Sequence, residues 1–302
     1  MPKKKILIFI AIIVIICIAL PITAAIVRKT PSADATEMQQ ISIWQIDGFE
    51  GGKGSRANYI QKTGEKCFKN KKIYVTVTVI SADAARLNIE RGEYPDIISY
   101  PAGFYGLENL INTADFSHKT WCNGSYCLLT LEENSQFSDV LAQNTVVNMG
   151  KDNLTEVALA LSGLNGAVME EPTNAYLKLL SGKYKYLFGS QRDVFRLKAR
   201  NVSFSIKPVT EFNDLYQNIS ILAKNKAKYQ TCKQYVDYLL SNSNVGSLGL
   251  FGGGELCAEE LKVFEGINYG VTLNCPCGIN YVNDLKAAAK NGDVNKLKTL
   301  LK

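Results

Sequence analysis

What most limits the fold of this chain is an alternation of strand-like and helix-like segments that begins at Ile41. The stretch from Ile41 to Lys62, ISIWQIDGFEGGKGSRANYIQK, reads as a buried strand carrying Ile41, Ile43 and Trp44, then a glycine-rich loop, then an amphipathic helix. Lys72 to Ile80 is dense in β-branched residues, Ala82 to Glu90 is a short helix, Pro95 stops it, and a third strand starts at Asp96. Strands and helices alternating at this spacing imply a parallel sheet, and ligands of such sheets sit at the carboxyl ends of the strands. Asp47 and Tyr100 fall at such ends. Gly48, Gly51, Gly52 and Gly54 let the first loop turn sharply, and the helix behind it points its first N–H groups back into the loop, a setting for hydroxyl oxygens or an anion.

From Thr120 the pattern changes. Trp121 to Leu131 reads as a strand with a turn, followed by a polar stretch and a helix near Asn153 to Leu161. Thr173 to Leu180 is a helix broken at Gly182, Tyr184 to Phe188 a strand, and Ser190 to Arg200 a helix with Arg192, Arg196 and Arg200 on one side. Ser203 to Ile206 and Tyr216 to Leu222 are short strands. Asn225 to Leu240 is the clearest helix, because Cys232, Tyr235, Val236, Leu239 and Leu240 recur at the spacing of one buried face.

Ahead of this body lies a leader. Lys3, Lys4 and Lys5 precede an uncharged run from Ile6 to Val27, closed by Arg28 and Lys29. At about 1.5 Å per residue the run just spans a hydrocarbon core of about 30 Å, so it serves as a signal peptide or, if uncut, as a membrane anchor. Thr23, Ala24 and Ala25 offer a cleavage site, whereas Cys17 follows Ile16 and lacks the small residue of a lipid-attachment box. Either way the body is expected on the external face of the cell membrane, anchored or secreted. Residues 30–39 form a polar tether.

The leader also explains the charge. Of 34 Lys and Arg against 28 Asp and Glu, five basic residues lie in it, leaving 29 against 28. That balance gives no electrostatic case for nucleic acid. Seven cysteines follow Cys17, an odd number, and His118 is the only histidine, so metal-site spacing is absent and no cofactor is expected. One or two disulfides are open to an exported chain. Gly48 to Lys53 is one residue short of a phosphate loop, and Gly54 stands where such a loop needs Ser or Thr. A Ser-His-Asp site has only His118 to use and no nucleophile elbow. Cys275-Pro-Cys277 lacks the two-residue spacing of thiol oxidoreductases, which favours structural or free thiols there. Enzymatic readings thus fare worse than a binding role, and the one kept as a rival is an extracellular thiol enzyme using Cys275 and Cys277.

Taken together, IDGFEGGKGSR in the opening stretch, Gly92 to Ile98, AYLKLLSGKYKYLFGSQRD from Ala175 to Asp193, and EFNDLYQNISI from Glu211 to Ile221 with its following helix resemble the extracellular solute-binding proteins (family 1, sugar-type) of bacterial ABC importers. The resemblance covers Ile41 to about Phe251. It implies an α/β fold of the type II periplasmic-binding-protein kind, two lobes joined by a hinge. Residues 38–120 plus 213–252 would form lobe one, and 121–212 plus 253–302 lobe two, shortened between Thr130 and Thr173. It implies a receptor that delivers a small molecule, a sugar, to the importer's membrane subunits; the alternative is a degenerate, membrane-anchored homologue that acts as an interaction protein.

A polyol is held by aromatic faces against its C–H surface and by carboxylate, amide or guanidinium groups on its hydroxyls. The opening loop offers Trp44, Asp47, Phe49, Glu50, Gly51, Gly52 and Arg56; Tyr100 follows the third strand. Trp121 and Tyr126 sit where the resembling family crosses between lobes, Arg192 follows a Gly-Ser-Gln turn at a helix start, and Asn213 and Tyr216 precede the returning strand.

Overall fold

The computed structural model describes residues 39–49, 54–107, 110, 118–148, 153–242, 244–251 and 259–302. The leader at 1–29, most of the tether, and Glu50, Gly51 and Gly52 lie outside the described residues. Among the described residues no helix is long and apolar enough to cross a membrane.

The first sheet realises the expected alternation. Strand β1 (Gln39–Gln45), helix α1 (Arg56–Cys67), strand β2 (Ile73–Val79), helix α2 (Ala82–Glu90) and strand β3 (Ile97–Pro101) follow one another, and β1 pairs parallel to β3 with Ile43 opposite Ile97. Gly92, at φ 81, makes the left-handed exit from α2 that a side chain would resist. Asp96 then pins the two strands together: its Oδ2 accepts from Ser42 N and Oγ, both at 2.8 Å, and its Oδ1 pairs with Lys228 Nζ at 2.8 Å. Strand β4 (Lys119–Asn123) and the late strand β11 (Tyr216–Ile221) complete the order β2-β1-β3-β11-β4, with β11 antiparallel to both neighbours.

A second sheet is built the same way. It uses β5 (Tyr126–Thr130), β6 (Thr145–Asn148), β7 (Val168–Glu170), β8 (Tyr186–Ser190) and β9 (Ser205–Pro208), in the order β7-β6-β8-β5-β9. In each sheet an outer strand, the first parallel strand and the third are followed by an antiparallel strand that arrives from the other half of the chain. Helices α3 (Thr155–Leu161), α4 (Pro172–Leu180) and α5 (Gln191–Lys198) accompany the second sheet, and α6 (Lys226–Asn242) the first. Cys232, Tyr235, Val236 and Leu239 of α6 are buried, as its periodicity requires, and Tyr235 donates to Ile60 O at 2.9 Å.

Two differences from the sequence reading concern connections. Trp121 to Leu131 is not one strand with a turn, since Gly124-Ser125 carries the chain from β4 in one sheet to β5 in the other. A backbone that turns without its two flanks pairing is what a crossover needs. The interval after Leu131 also contains β6, a four-residue strand. The return crossover runs beside the first: Gly124 N donates to Leu215 O at 2.7 Å and Val209 N to Tyr126 O at 3.0 Å. After it, β10 (Phe212–Asn213) pairs with β12 (Val271–Thr272), and α7 (Ile279–Lys290) and α8 (Val294–Leu300) pack on α3. The six cysteines among the described residues are all free thiols.

Candidate functional site

The carboxyl ends of β1, β6 and β8 meet the two crossovers at a common point, lined by Phe49, Tyr126, Asn148, Asn153, Gly189, Ser190 and Leu215. The space left there is about 20 Å³. That suffices for one water, whereas a small-molecule pocket needs at least about 300 Å³. The space between the described side chains is therefore too small for such a ligand.

Its first wall is organised by Arg56 at the start of α1. Ser55 caps the helix by accepting from Asn58 N at 3.2 Å, which leaves Arg56 on the inward side, 4% exposed. Its Nε lies 2.8 Å from Asp47 Oδ1, one terminal nitrogen donates to Gln217 Oε1 at 3.2 Å, the other donates to Phe49 O, and the guanidinium stacks over the Phe49 ring at 4.5 Å. Gln217 continues the network: its Nε2 donates to Ile46 O at 2.8 Å and to Ser99 Oγ at 3.0 Å, and Ser99 Oγ also accepts from Trp121 Nε1 at 3.0 Å. Buried polar groups are costly unless paired, and here each donor has an acceptor.

The second wall rests on Asp193, fully buried in the first turn of α5. It accepts from Ser190 N at 3.1 Å, Arg196 at 2.9 Å and Asn148 Nδ2 at 2.8 Å. Burial raises its carboxyl above the usual range, and the Asn148 and Arg196 contacts oppose that. A carboxylate only accepts, so Asn148 must give it Nδ2 and keep Oδ1 on its other side. That Oδ1 is buried without a hydrogen-bond partner among the described groups, on a residue only 8% exposed.

Between the walls, Tyr126 donates to Asp214 Oδ1 at 2.7 Å and Leu154 N donates to Asp214 Oδ2 at 2.5 Å. Asp214 is pushed up to about 6, first by burial and further by Glu156, against the lowering effect of those two donors. Between about pH 4 and 6 the folded chain holds a proton on Asp214 that the unfolded chain has released. Stability from this group is fully present below about pH 4 and is lost as pH rises through about 6. Asp214→Asn is expected to remove that slope: the melting temperature of wild type minus variant should fall between pH 4 and 6 and level off above. A difference that stays flat over the window would rule this assignment out.

The sequence candidates divide accordingly. Asp47, Phe49 and Arg56 come together on the first wall, and Phe49 meets Tyr126 at the cavity. Trp44 and Tyr100 pack with the apolar cluster under α2, where Tyr100 shares a 2.8 Å hydrogen bond with Ser220. Trp121 stacks on Tyr59 at 6.1 Å. Asn213 and Tyr216 belong to the return crossover, Asn213 Nδ2 donating to Gly124 O at 3.0 Å. Arg192 is half-buried at the start of α5, its N–H on Ser190 Oγ at 3.3 Å, and it does not line the cavity. Asn148, Asn153, Ser190, Asp193, Asp214 and Gln217 were not singled out from sequence. The usable signal was position, because Asn148 and Ser190 are the last residues of β6 and β8.

No family model matches the chain, and no curated protein matches its sequence. Among the solved structures that its fold is similar to are the following two. The spermidine/putrescine ABC transporter substrate-binding protein PotD from Streptococcus pneumoniae is 11% identical with a TM-score of 0.58, over 87% of this chain and 100% of that one. Iron-bound HitA from Pseudomonas aeruginosa is 13% identical with a TM-score of 0.54, over 87% and 99%. These matches establish the fold: two α/β halves of the type II periplasmic-binding-protein kind. They carry the fold and stop short of the sugar-type family.

Proposed function

We propose that this chain is an externally facing, membrane-associated solute receptor that closes two lobes around a small neutral polyol, a sugar, and presents the closed form to the membrane subunits of an ABC importer. The lobes are residues 38–120 plus 213–252 and 121–212 plus 253–302, hinged at the two crossovers. No covalent chemistry is involved; contacts made by both lobes stabilise the closed state, and only that differential affinity drives closure.

The observation that carries the ligand class is Asn148 Oδ1 in the wall of the cavity, which has no hydrogen-bond partner among the described residues. It calls for a ligand that donates hydrogen bonds. Oxyanions do not, which disfavours them. A polyamine donates but carries positive charge that calls for unpaired carboxylates, and the carboxylates described here are engaged: Asp47 by Arg56, Asp193 by Arg196, Asp214 by Tyr126 and Leu154 N. A sugar hydroxyl satisfies Asn148, with Phe49 and Tyr126 as aromatic walls, Asn153 and Ser190 as further polar partners, and Glu50, Gly51 and Gly52 adjoining in the chain.

Calorimetry of the full chain against mono- and disaccharides, spermidine and inorganic oxyanions tests this. A sugar is expected to bind, and Asn148→Leu to weaken it about 10- to 100-fold, the worth of about 1–3 kcal/mol for one buried hydrogen-bonding group. Binding of spermidine or an oxyanion alone would overturn the sugar assignment. The small self-filled cavity favours a second reading, an anchored interaction protein without a solute; silence toward every class, with no compaction in small-angle scattering, would select it.

A further inference from the structure

The segment from Leu273 to Gly278 is a strap between the two halves of the molecule. Leu273 N donates to Asn213 O at 3.0 Å, Asn218 Nδ2 to Asn274 O at 3.0 Å, Gly103 N to Cys275 O at 3.0 Å, and Cys277 N to Phe104 O at 3.1 Å. The chain then enters α7, which packs on α3 beside the second sheet. The two cysteines of the strap, separated only by Pro276, are thus held against the loop after β3 by one hydrogen bond each. The Cys277 S–H donates to Cys275 O at 3.5 Å, which folds its sulfur back over Pro276 toward Cys275. Cys275 is half-buried and Cys277 buried, so Cys275 is the more accessible of the two.

We propose that Cys275 and Cys277 form a reversible dithiol–disulfide pair, a redox modification site on the strap that exchanges with low-molecular-weight disulfides of the glutathione type. The Cys275 thiolate attacks one sulfur of the disulfide, forms a mixed disulfide and expels one thiolate, which takes up a proton. Cys277 then loses its proton to solvent and attacks Cys275 Sγ, expelling the second thiolate. The protein's two thiols are oxidised to one disulfide while the small disulfide is reduced to two thiols.

The division of roles follows from the contact. The hydrogen bond from Cys277, with a backbone donor beside it, holds the Cys275 thiol below the usual thiol range, while that same bond and burial raise Cys277. A thiolate that forms readily and is exposed is the attacking group; a protonated buried thiol resolves. A ring closed across a single residue is strained, so the bond should be easily reduced again. Both flanking hydrogen bonds run to Gly103 and Phe104, so the redox state acts on the tie between the strap and the first sheet. This pair is independent of the solute reading.

The test equilibrates the native full chain with oxidised and reduced glutathione, quenches with acid, and follows the tryptic peptide Val263–Lys286, whose only cysteines are these two. The expected result is loss of two hydrogens from that peptide, restored by dithiothreitol. Cys277→Ser should accumulate a glutathione adduct on Cys275, whereas Cys275→Ser should react at Cys277 at least about tenfold more slowly. A stable adduct on wild type in place of the intramolecular bond would overturn the proposal. So would thiols that stay unmodified in the native chain while the denatured chain reacts, or equal reactivity of the two variants.

Discussion

Asp193→Ala is expected to destabilise the fold by about 4 kcal/mol, because it removes the buried carboxylate that Ser190 N, Asn148 and Arg196 share and leaves those donors without it. The side chain is 0% exposed, with Arg196 at 2.9 Å and 18% exposed. Water reaches the Arg196 guanidinium in part, which places the cost below the upper end of about 5 kcal/mol for splitting a fully buried pair. Two further losses add to it. Ser190 N loses the acceptor that closes the capping box of α5, and Asn148 Nδ2 joins Oδ1 in having no partner. Gly189 shows how closely the carboxylate is fitted, since a Cβ there would stand 2.4 Å from Asp193 Oδ2. For a body of this size the shift is roughly 10 °C in melting temperature, followed by circular dichroism. Asp193→Asn keeps an acceptor for Ser190 N and should recover about half the loss, the share due to hydrogen bonding as opposed to charge. On the receptor proposal, solute binding should disappear in the Ala variant even below its melting point, because the Asp193 contact that orients Asn148 is gone. An Ala variant that melts with wild type would show that the cluster contributes nothing.

Much of the fold was legible because its signals are local. The periodicity of Asn225 to Leu240 gave α6, and the alternation from Ile41 gave the parallel pairing of β1 and β3. The segment Gly92 to Ile98, which carried part of the family resemblance, is structural: Gly92 turns the chain and Asp96 ties β3 to β1. It says nothing about a ligand. The site was less legible because it depends on pairings between distant residues. Arg56 stood out as a polar residue behind a glycine-rich loop, but what holds it is Gln217, 161 residues later. Trp44, Tyr100 and Trp121 stood near strand ends, and sequence does not tell which face of a sheet an aromatic residue serves. Trp44 and Tyr100 went to the cluster under α2, Trp121 to Tyr59 of α1. Asn148 was hidden for another reason. Thr-Val-Val-Asn is too short and too polar in its surroundings to stand out as a strand, so the end of that strand, where ligands of such sheets sit, went unread.

Arg56→Ala is the mirror experiment on the other wall, with an expected cost of about 3 kcal/mol from lost charge-assisted hydrogen bonds and the stacking over Phe49. The smaller figure has a physical cause. The charge left behind here is Asp47, whose side chain is 46% exposed, so water replaces the guanidinium for it. What water reaches less easily are Gln217 Oε1 and the Phe49 carbonyl, both of which lose a donor inside the core. Arg56→Lys should not restore them, because a single ammonium cannot serve Asp47, Gln217 and Phe49 O in the three directions that the planar guanidinium does. The Lys variant is expected to lose about two thirds of what Ala loses. By thermal unfolding the Ala variant should melt roughly 6–10 °C lower. On the sugar proposal, solute affinity carries the sharper distinction: Phe49 is held by the stack and by the hydrogen bond on its carbonyl, so a bound sugar should lose its aromatic wall together with Arg56. If Arg56→Ala instead bound sugar more tightly than wild type, Arg56 would be a plug that competes with the solute, and the first wall would have to be assigned to the loop beyond Phe49.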